Sequence, residues 1–171
     1  MYRSVNYHIK MVLVAILLFS NSLFALPKDS EEPLHIAADS TLFNYKTGVD
    51  TYEGNVKVDQ GTTHLIADRL ITEKNEEHKI VTATAYGLQN LSEFITTPTE
   101  NDLVLHARAK VIKYYPSTSV VVLEESVFVT QGKNSFHGPL IIYNMKDQLV
   151  SAPASKNGRA TIVIEPNKQK S

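Results

Sequence analysis

Apolar and polar positions alternate with a period of two through most of this chain. Asn55-Val56-Lys57-Val58-Asp59 alternates, as does Leu34-His35-Ile36, and Leu103-Val104-Leu105-His106 is a short mixed run. Residues 119–123 (SVVVL) and 160–164 (ATIVI) are nearly unbroken apolar runs of strand length. Turn signals fall between the runs: Lys46-Thr47-Gly48, Glu53-Gly54, Gln60-Gly61, Gln131-Gly132-Lys133-Asn134, His137-Gly138-Pro139 and Lys156-Asn157-Gly158. Short β-branched runs broken by turns at this spacing predict an all-β domain of roughly 15 strands. Residues 73–79 (EKNEEHK) have helix-like composition but no apolar face to bury, so they read as a charged, solvated loop.

The pattern also repeats. Asn55-Val56-Lys57-Val58-Asp59-Gln60-Gly61 matches Ser126-Val127-Phe128-Val129-Thr130-Gln131-Gly132 at an offset of 71. The same offset sets Phe43 against Tyr114, Leu65 against Phe136 and Leu70 against Ile141. After a two-residue slip, Ile80-Val81-Thr82-Ala83 meets Leu149-Val150-Ser151-Ala152, and Phe94-Ile95 meets Val163-Ile164. Two similar halves are expected, each too small to cover its apolar faces alone. Alternation puts Leu34, Ile36 and Ala38 on one face, as it does Phe43 with Tyr45 and Val56 with Val58. Read without a break, it also groups Thr63, Leu65, Ala67 and Arg69, then Val127 with Val129, then Phe136, Gly138 and Leu140. The opposite faces carry His35, Asn44, Lys57, Asp59, His64 and Asp68. The result is an elongated, twisted sheet or pair of sheets with one apolar surface and one wet one.

Residues 1–25 have the parts of a secretory signal. Arg3 and Lys10 precede the apolar run 11–19, and Ser20-Asn21-Ser22 and Leu23-Phe24-Ala25 follow it. The run is about half the roughly 20 residues a spanning helix requires, which favours cleavage over anchoring. Cleavage after Ala25 or after Ser22 would deliver the chain to the periplasm. Residues 26–33 read as a linker, 34–166 as one domain and 167–171 as a polar tail. The chain has no cysteine, so burial and sheet hydrogen bonds must hold it. Its net charge of −1, which falls to −3 without Arg3 and Lys10, gives no reason to expect nucleic acid.

Catalysis fits poorly. Outside the leader the histidines are His35, His64, His78, His106 and His137, with no HxH or HExxH spacing. The paired acids Glu31-Glu32, Glu76-Glu77 and Glu124-Glu125 fall in turns or linkers, and there is no GxSxG elbow or phosphate-cradling glycine loop. No enzyme activity, metal or cofactor is expected.

The ordered motifs resemble the LptA (OstA-like) family of periplasmic lipopolysaccharide-transport proteins. They are Pro33-Leu34-His35-Ile36-Ala37-Ala38-Asp39, then Gly54 to Gly61 (GNVKVDQG), then Ile66-Ala67-Asp68-Arg69-Leu70. Tyr86-Gly87, Val121-Val122-Leu123 and the closing residues 159–166 (RATIVIEP) complete the match over 31–166. Glu125-Ser126 stands where the family usually repeats Gly-Asn, and a left-handed turn suits glycine far better than glutamate. The segment 87–94 is slightly long for the family.

The resemblance implies a twisted β-jellyroll with a hydrophobic inner groove in which lipopolysaccharide acyl chains travel from inner to outer membrane. It also implies head-to-tail self-association, an LptC-like partner at the inner membrane and an LptD-like partner at the outer. Parity and resemblance together assign the groove lining to Leu34, Ile36, Phe43, Val56, Val58, Leu65, Phe94, Leu105, Tyr114 and Phe136. Two stretches lack Lys, Arg, Asp and Glu: Leu34, His35, Ile36, Ala37 and Ala38, and Ala160, Thr161, Ile162, Val163 and Ile164. Edge strands are normally blunted by charge or proline, so unblunted ones at the two ends of the domain would suit strand addition between protomers.

Other readings are a membrane-anchored LptC-like subunit and a secreted carbohydrate-binding β-protein. The short apolar run argues against the first. The absence of tryptophan and the 8% aromatic content argue against the second.

Overall fold

A computed structural model of the chain describes residues 28–98 and 102–166. The expected signal 1–25 and polar tail 167–171 lie outside the described residues. A single-turn 3-10 helix, Lys28–Glu31, leads into twelve strands. They are β1 His35–Ala37, β2 Ser40–Asn44, β3 Val49–Gln60, β4 Thr63–Lys74, β5 Ile80–Tyr86, β6 Ser92–Thr96, β7 Leu105–Ala109, β8 Val111–Tyr115, β9 Val120–Gln131, β10 Asn134–Asn144, β11 Leu149–Ser151 and β12 Thr161–Val163. The fold is all-β, as the alternation predicts. Strands number twelve rather than 15 because β3 and β10 run straight through Glu53-Gly54 and His137-Gly138-Pro139. These stretches are bulges inside long strands, not turns between short ones.

All twelve strands form one antiparallel sheet folded across its four long members. Each long strand contributes one end to each of two wings. The first wing runs β1, the far end of β3, the near end of β4, β6, β7, the far end of β9, the near end of β10, then β12. The second runs β2, β3, β4, β5, β8, β9, β10, β11 through the opposite ends of the same strands.

The repeat is present strand for strand. The β3–β4 register (Val49↔Glu73) recurs 71 residues on as Val120↔Asn144, and β1–β3 (His35↔Asp59) recurs as β7–β9 (His106↔Thr130). The slip is larger than two residues, however. Thr72 pairs with Ala83 and its twin Tyr143 with Val150, which is a slip of four. Leu65 pairs with Phe94 and Phe136 with Ile162, a slip of three that makes Ile162, not Val163, the counterpart of Phe94. The loops before β11 and β12 differ in length from their twins, and one residue of difference reverses parity.

Both folds of the sheet are made the same way. In the bulge between Glu53 and Val56, Gly54 (φ 77°) and Asn55 (φ 47°) are left-handed. Glu125 (φ 61°) and Ser126 (φ 55°) adopt the same conformation in the second half, so the turn is kept despite the changed residues. Two residues of β3 oppose one of β4, which resets parity on β4. Ala67 and Leu70 are both buried, whereas Arg69 pairs outward with Glu53, its guanidinium 2.9 Å from the carboxylate. Arg69 therefore leaves the Leu65–Ala67 face, and its twin Leu140 leaves that of Phe136. Leu70, Ile112, Leu123 and Ile141, with Val56, Val121 and Val129, are almost completely buried and join the wings at the fold.

An apolar groove between the wings

Beyond that core the wings diverge around a cavity of about 650 Å³. The first wing lines it with Ile36, Val58, Leu65 and Phe94, and the second with Leu70, Ile80, Ala83, Ile112, Tyr114 and Met145. Thr72 is a buried polar group in the lining, and the other polar residues there, Asp29, Gln60, Thr63, Lys79, Ser117, Ser119 and Lys146, are half-buried or exposed. Such a lining removes aliphatic surface from water and offers few groups that fix a ligand in one pose.

The 3-10 helix builds one lip. Asp29 accepts hydrogen bonds from the Thr62 backbone N–H at 2.9 Å and from the Thr62 and Thr63 hydroxyls at 2.8 Å each, which ties the segment to the β3–β4 turn. Gln60 adds a bond from Nε2 to the Glu32 carbonyl at 3.0 Å. Burial, and then the negative charge of Asp29, pushes the Tyr114 phenol above its ordinary pKa, so that ring stays neutral and apolar in use.

Of the ten residues expected to line the groove, six do: Leu34, Ile36, Val58, Leu65, Phe94 and Tyr114. Val56 and Leu105 have the right parity but lie under the fold as core. Phe136 is half-buried against the core of the second half. Phe43 is exposed on β2, stacked 6.5 Å from Tyr45 and edge-on to Tyr52 at 5.8 Å. The lining also includes Leu70, Ile80, Ala83, Ile112 and Met145, which sequence reasoning missed. Ile112 shares a face with Tyr114 two residues on and was findable; Leu70 was hidden by the parity change at the bulge. The 3-10 helix lies in the expected linker, and a single turn carries no periodicity to reveal it.

β1 and β12 are the outer strands of the first wing, each paired on one side only among the described residues. Leu34, Ile162, Val163 and Ile164 there are exposed. The described residues hold no group of side chains able to bind a metal ion. None of their helices is long and apolar enough to cross a membrane.

A folded antiparallel sheet around an aliphatic groove, with bare edges at both ends, is the construction of an apolar-ligand-binding carrier module. The family model that matches residues 35–149 is described as LptA/(LptD N-terminal domain) LPS transport protein, and the chain belongs to that family. It is 31% identical to the lipopolysaccharide export system protein LptH of Pseudomonas aeruginosa over 157 residues, 88% of this chain and 89% of that one. It is 28% identical to the lipopolysaccharide export system protein LptA of Escherichia coli K12 over 168 residues, 93% of this chain and 85% of that one. The crystal structure of P. aeruginosa LptH, the LptA-homologous periplasmic component of the conserved lipopolysaccharide transport device, superposes with a TM-score of 0.75 at 28% identity. That match covers 82% of this chain and all of LptH.

Proposed function

We propose that this chain is a periplasmic carrier, delivered by cleavage of residues 1–25, that shields the acyl chains of lipopolysaccharide on their way to the outer membrane. In this reading the folded sheet is a β-jellyroll module that does no chemistry and needs no cofactor. Its partners are lipopolysaccharide, an LptC-like protein at the inner membrane, an LptD-like protein at the outer, and further copies of itself joined head to tail through β1 and β12.

The groove carries the proposal. An acyl chain crossing water exposes methylenes worth about 0.8 kcal/mol each, so a chain of roughly 12 carbons is uncovered at a cost on the order of 10 kcal/mol. A groove of Ile, Leu, Val and Phe side chains removes that cost, and the near absence of polar anchors lets the chain slide on. The family match and the relatives named as export proteins point the same way.

Photo-crosslinking in living cells tests it. Reactive residues at Ile36, Phe94 and Tyr114 should form lipopolysaccharide adducts, and one at exposed Lys57 should not. A folded, exported protein with no adduct at any of the three groove positions overturns the carrier reading.

A further inference from the structure

Alternation gives the first wing a second face, turned away from the groove. The pairs His35↔Asp59, Asp59↔His64, His64↔Ile95 and Ile95↔His106 set three histidines in one outward row across five strands. Two residues along the strands, the pairs Glu93↔Arg108, Arg108↔Phe128 and Phe128↔His137 carry a second outward row on to β10. His35, His64, His106 and His137 therefore share one face, and the one other histidine among the described residues, His78, lies in the loop between β4 and β5. The reverse side of the same strands carries Ile36, Val58, Leu65 and Phe94 into the groove. The histidine face is thus a separate surface, one sheet away from the lining.

Its other charged groups cancel. Lys57 and Asp59 come from β3, Glu93 from β6 and Arg108 from β7, whereas β1, β4 and β10 add only histidines to this face and β9 and β12 add no charge. Two cations and two anions sum to zero, so every proton taken up by an imidazole appears as net positive charge. Histidine is the side chain that changes charge between about pH 5 and 8. His64 Nδ1 lies 2.6 Å from the Asp59 carboxylate and His106 Nε2 lies 3.3 Å from that of Glu93, so protonation there also neutralises the acids of the face. His137 stands edge-on to Phe128 with ring centres 3.9 Å apart, and the Arg108 guanidinium lies 5.1 Å from the same ring. His35, Lys57, Asp59, His64 and Ile66 are exposed, and the rest of the face is half-buried.

We propose that this outer face of the first wing is a docking surface for a layer of anionic lipid headgroups, engaged at acid pH and released near neutrality. The charge complementarity is between lipid phosphates and a set of cations that Lys57 and Arg108 begin and the four histidines complete. Breadth favours a lipid layer over a single small ligand: the face is eight strands wide, roughly 30 Å at about 4.8 Å per strand. Ile66, Ile95 and Phe128 stand among the cations, and apolar side chains interleaved with positive charge suit the boundary between headgroups and acyl chains. This goes beyond the carrier reading and holds whatever the groove carries.

The sign follows from the imidazoles. Protonation adds cations without adding anions, so attraction to anionic lipid strengthens as pH falls and weakens as it rises. Each cation held near such a surface strengthens binding roughly fivefold, and salt screens the effect. Docking by this face leaves the groove lining uncovered, because the two surfaces are opposite sides of the same strands.

Sedimentation of the full exported chain with vesicles tests it, at about pH 5.5 and about pH 7.5, toward either end of the histidine range. Vesicles of phosphatidylcholine containing phosphatidylglycerol should bind at least about tenfold more tightly at the lower pH, and less as salt is added. Vesicles of phosphatidylcholine alone should not bind. His35→Gln/His64→Gln changes two exposed side chains and should remove much of the pH difference, and adding His106→Gln and His137→Gln should remove the rest. His35→Lys/His64→Lys should bind anionic vesicles at the higher pH as well, and His78→Gln should behave as the unchanged chain. Equal binding at both pH values overturns the proposal, as does a difference that survives His35→Gln/His64→Gln in full or one that His78→Gln abolishes. No binding to anionic vesicles at either pH also overturns it and leaves the face to an acidic protein. Lipopolysaccharide adducts from a probe at Phe94 should persist in His35→Gln/His64→Gln, so failure of the docking face and failure of the carrier reading are told apart.

Discussion

At the scale of single residues, the left-handed pair at the second bulge is where sequence and backbone disagree most. Glu125 and Ser126 hold the conformation that Gly54 and Asn55 hold in the first half. A non-glycine residue there costs roughly 1–2 kcal/mol. Glu125→Gly should therefore raise stability by about 1 kcal/mol, read as a higher urea midpoint with an unchanged slope. Asp68 is a second such residue. Its carboxylate accepts the backbone N–H groups of Leu88 at 2.6 Å and Gln89 at 2.7 Å, which fixes the loop between β5 and β6. The backbone N–H groups of Gln89, Asn90 and Leu88 together hold its pKa below the ordinary 3.8. A lowered carboxylate stabilises the fold above the unfolded-state value and loses that contribution as pH falls through the folded-state value. Asp68→Asn should accordingly lose stability at neutral pH and show a shallower decline between pH 5 and acid, followed by denaturation against pH.

Among the elements, the long bent strands decide what could be read in advance. The all-β class, the twofold repeat and the parity of Val56–Val58 and Val127–Val129 were legible because apolar alternation is local and unbroken there. Two things were not. A bulge changes parity without changing composition, so Arg69 and Leu140 were grouped with the wrong face and Leu70 was missed. Val56 and Leu105 share parity with the groove residues but lie nearer the fold, and depth between wings leaves no trace in a one-dimensional pattern. The bend also sorts the consequences of substitution. Leu70→Ala, where the groove meets the core, should cost about 2–5 kcal/mol in chemical denaturation. Asp29→Ala touches only the tie between the 3-10 helix and the β3–β4 turn. It should leave the fold intact and bring the Tyr114 phenol down toward its ordinary 10.0, since both the covering segment and the charge that raise it are weakened. Titration of Tyr114 by NMR checks the direction.

At the scale of the molecule, carrying a ligand and holding the fold make separable demands. Ala83 lies on the groove wall, where a larger side chain meets empty volume before it meets core. Ala83→Phe should suppress lipopolysaccharide adducts from a probe at Tyr114 while leaving the far-ultraviolet circular dichroism of the sheet unchanged. Adducts kept in full yield would take Ala83 off the path of the cargo.

The repeat has one more consequence, and it concerns direction. Solenoid-like arrays close their ends with polar capping units, and among the described residues nothing covers the outer edges of β1 and β12. Because β1–β2 and β11–β12 are different surfaces, a row joined as proposed above would point one way, like a file of arrows. The protein at its head would have to offer the complement of one end, and the protein at its foot the complement of the other. The two stations would not be interchangeable, and a cargo passing along such a row would meet the same sequence of walls, in the same order, in every unit.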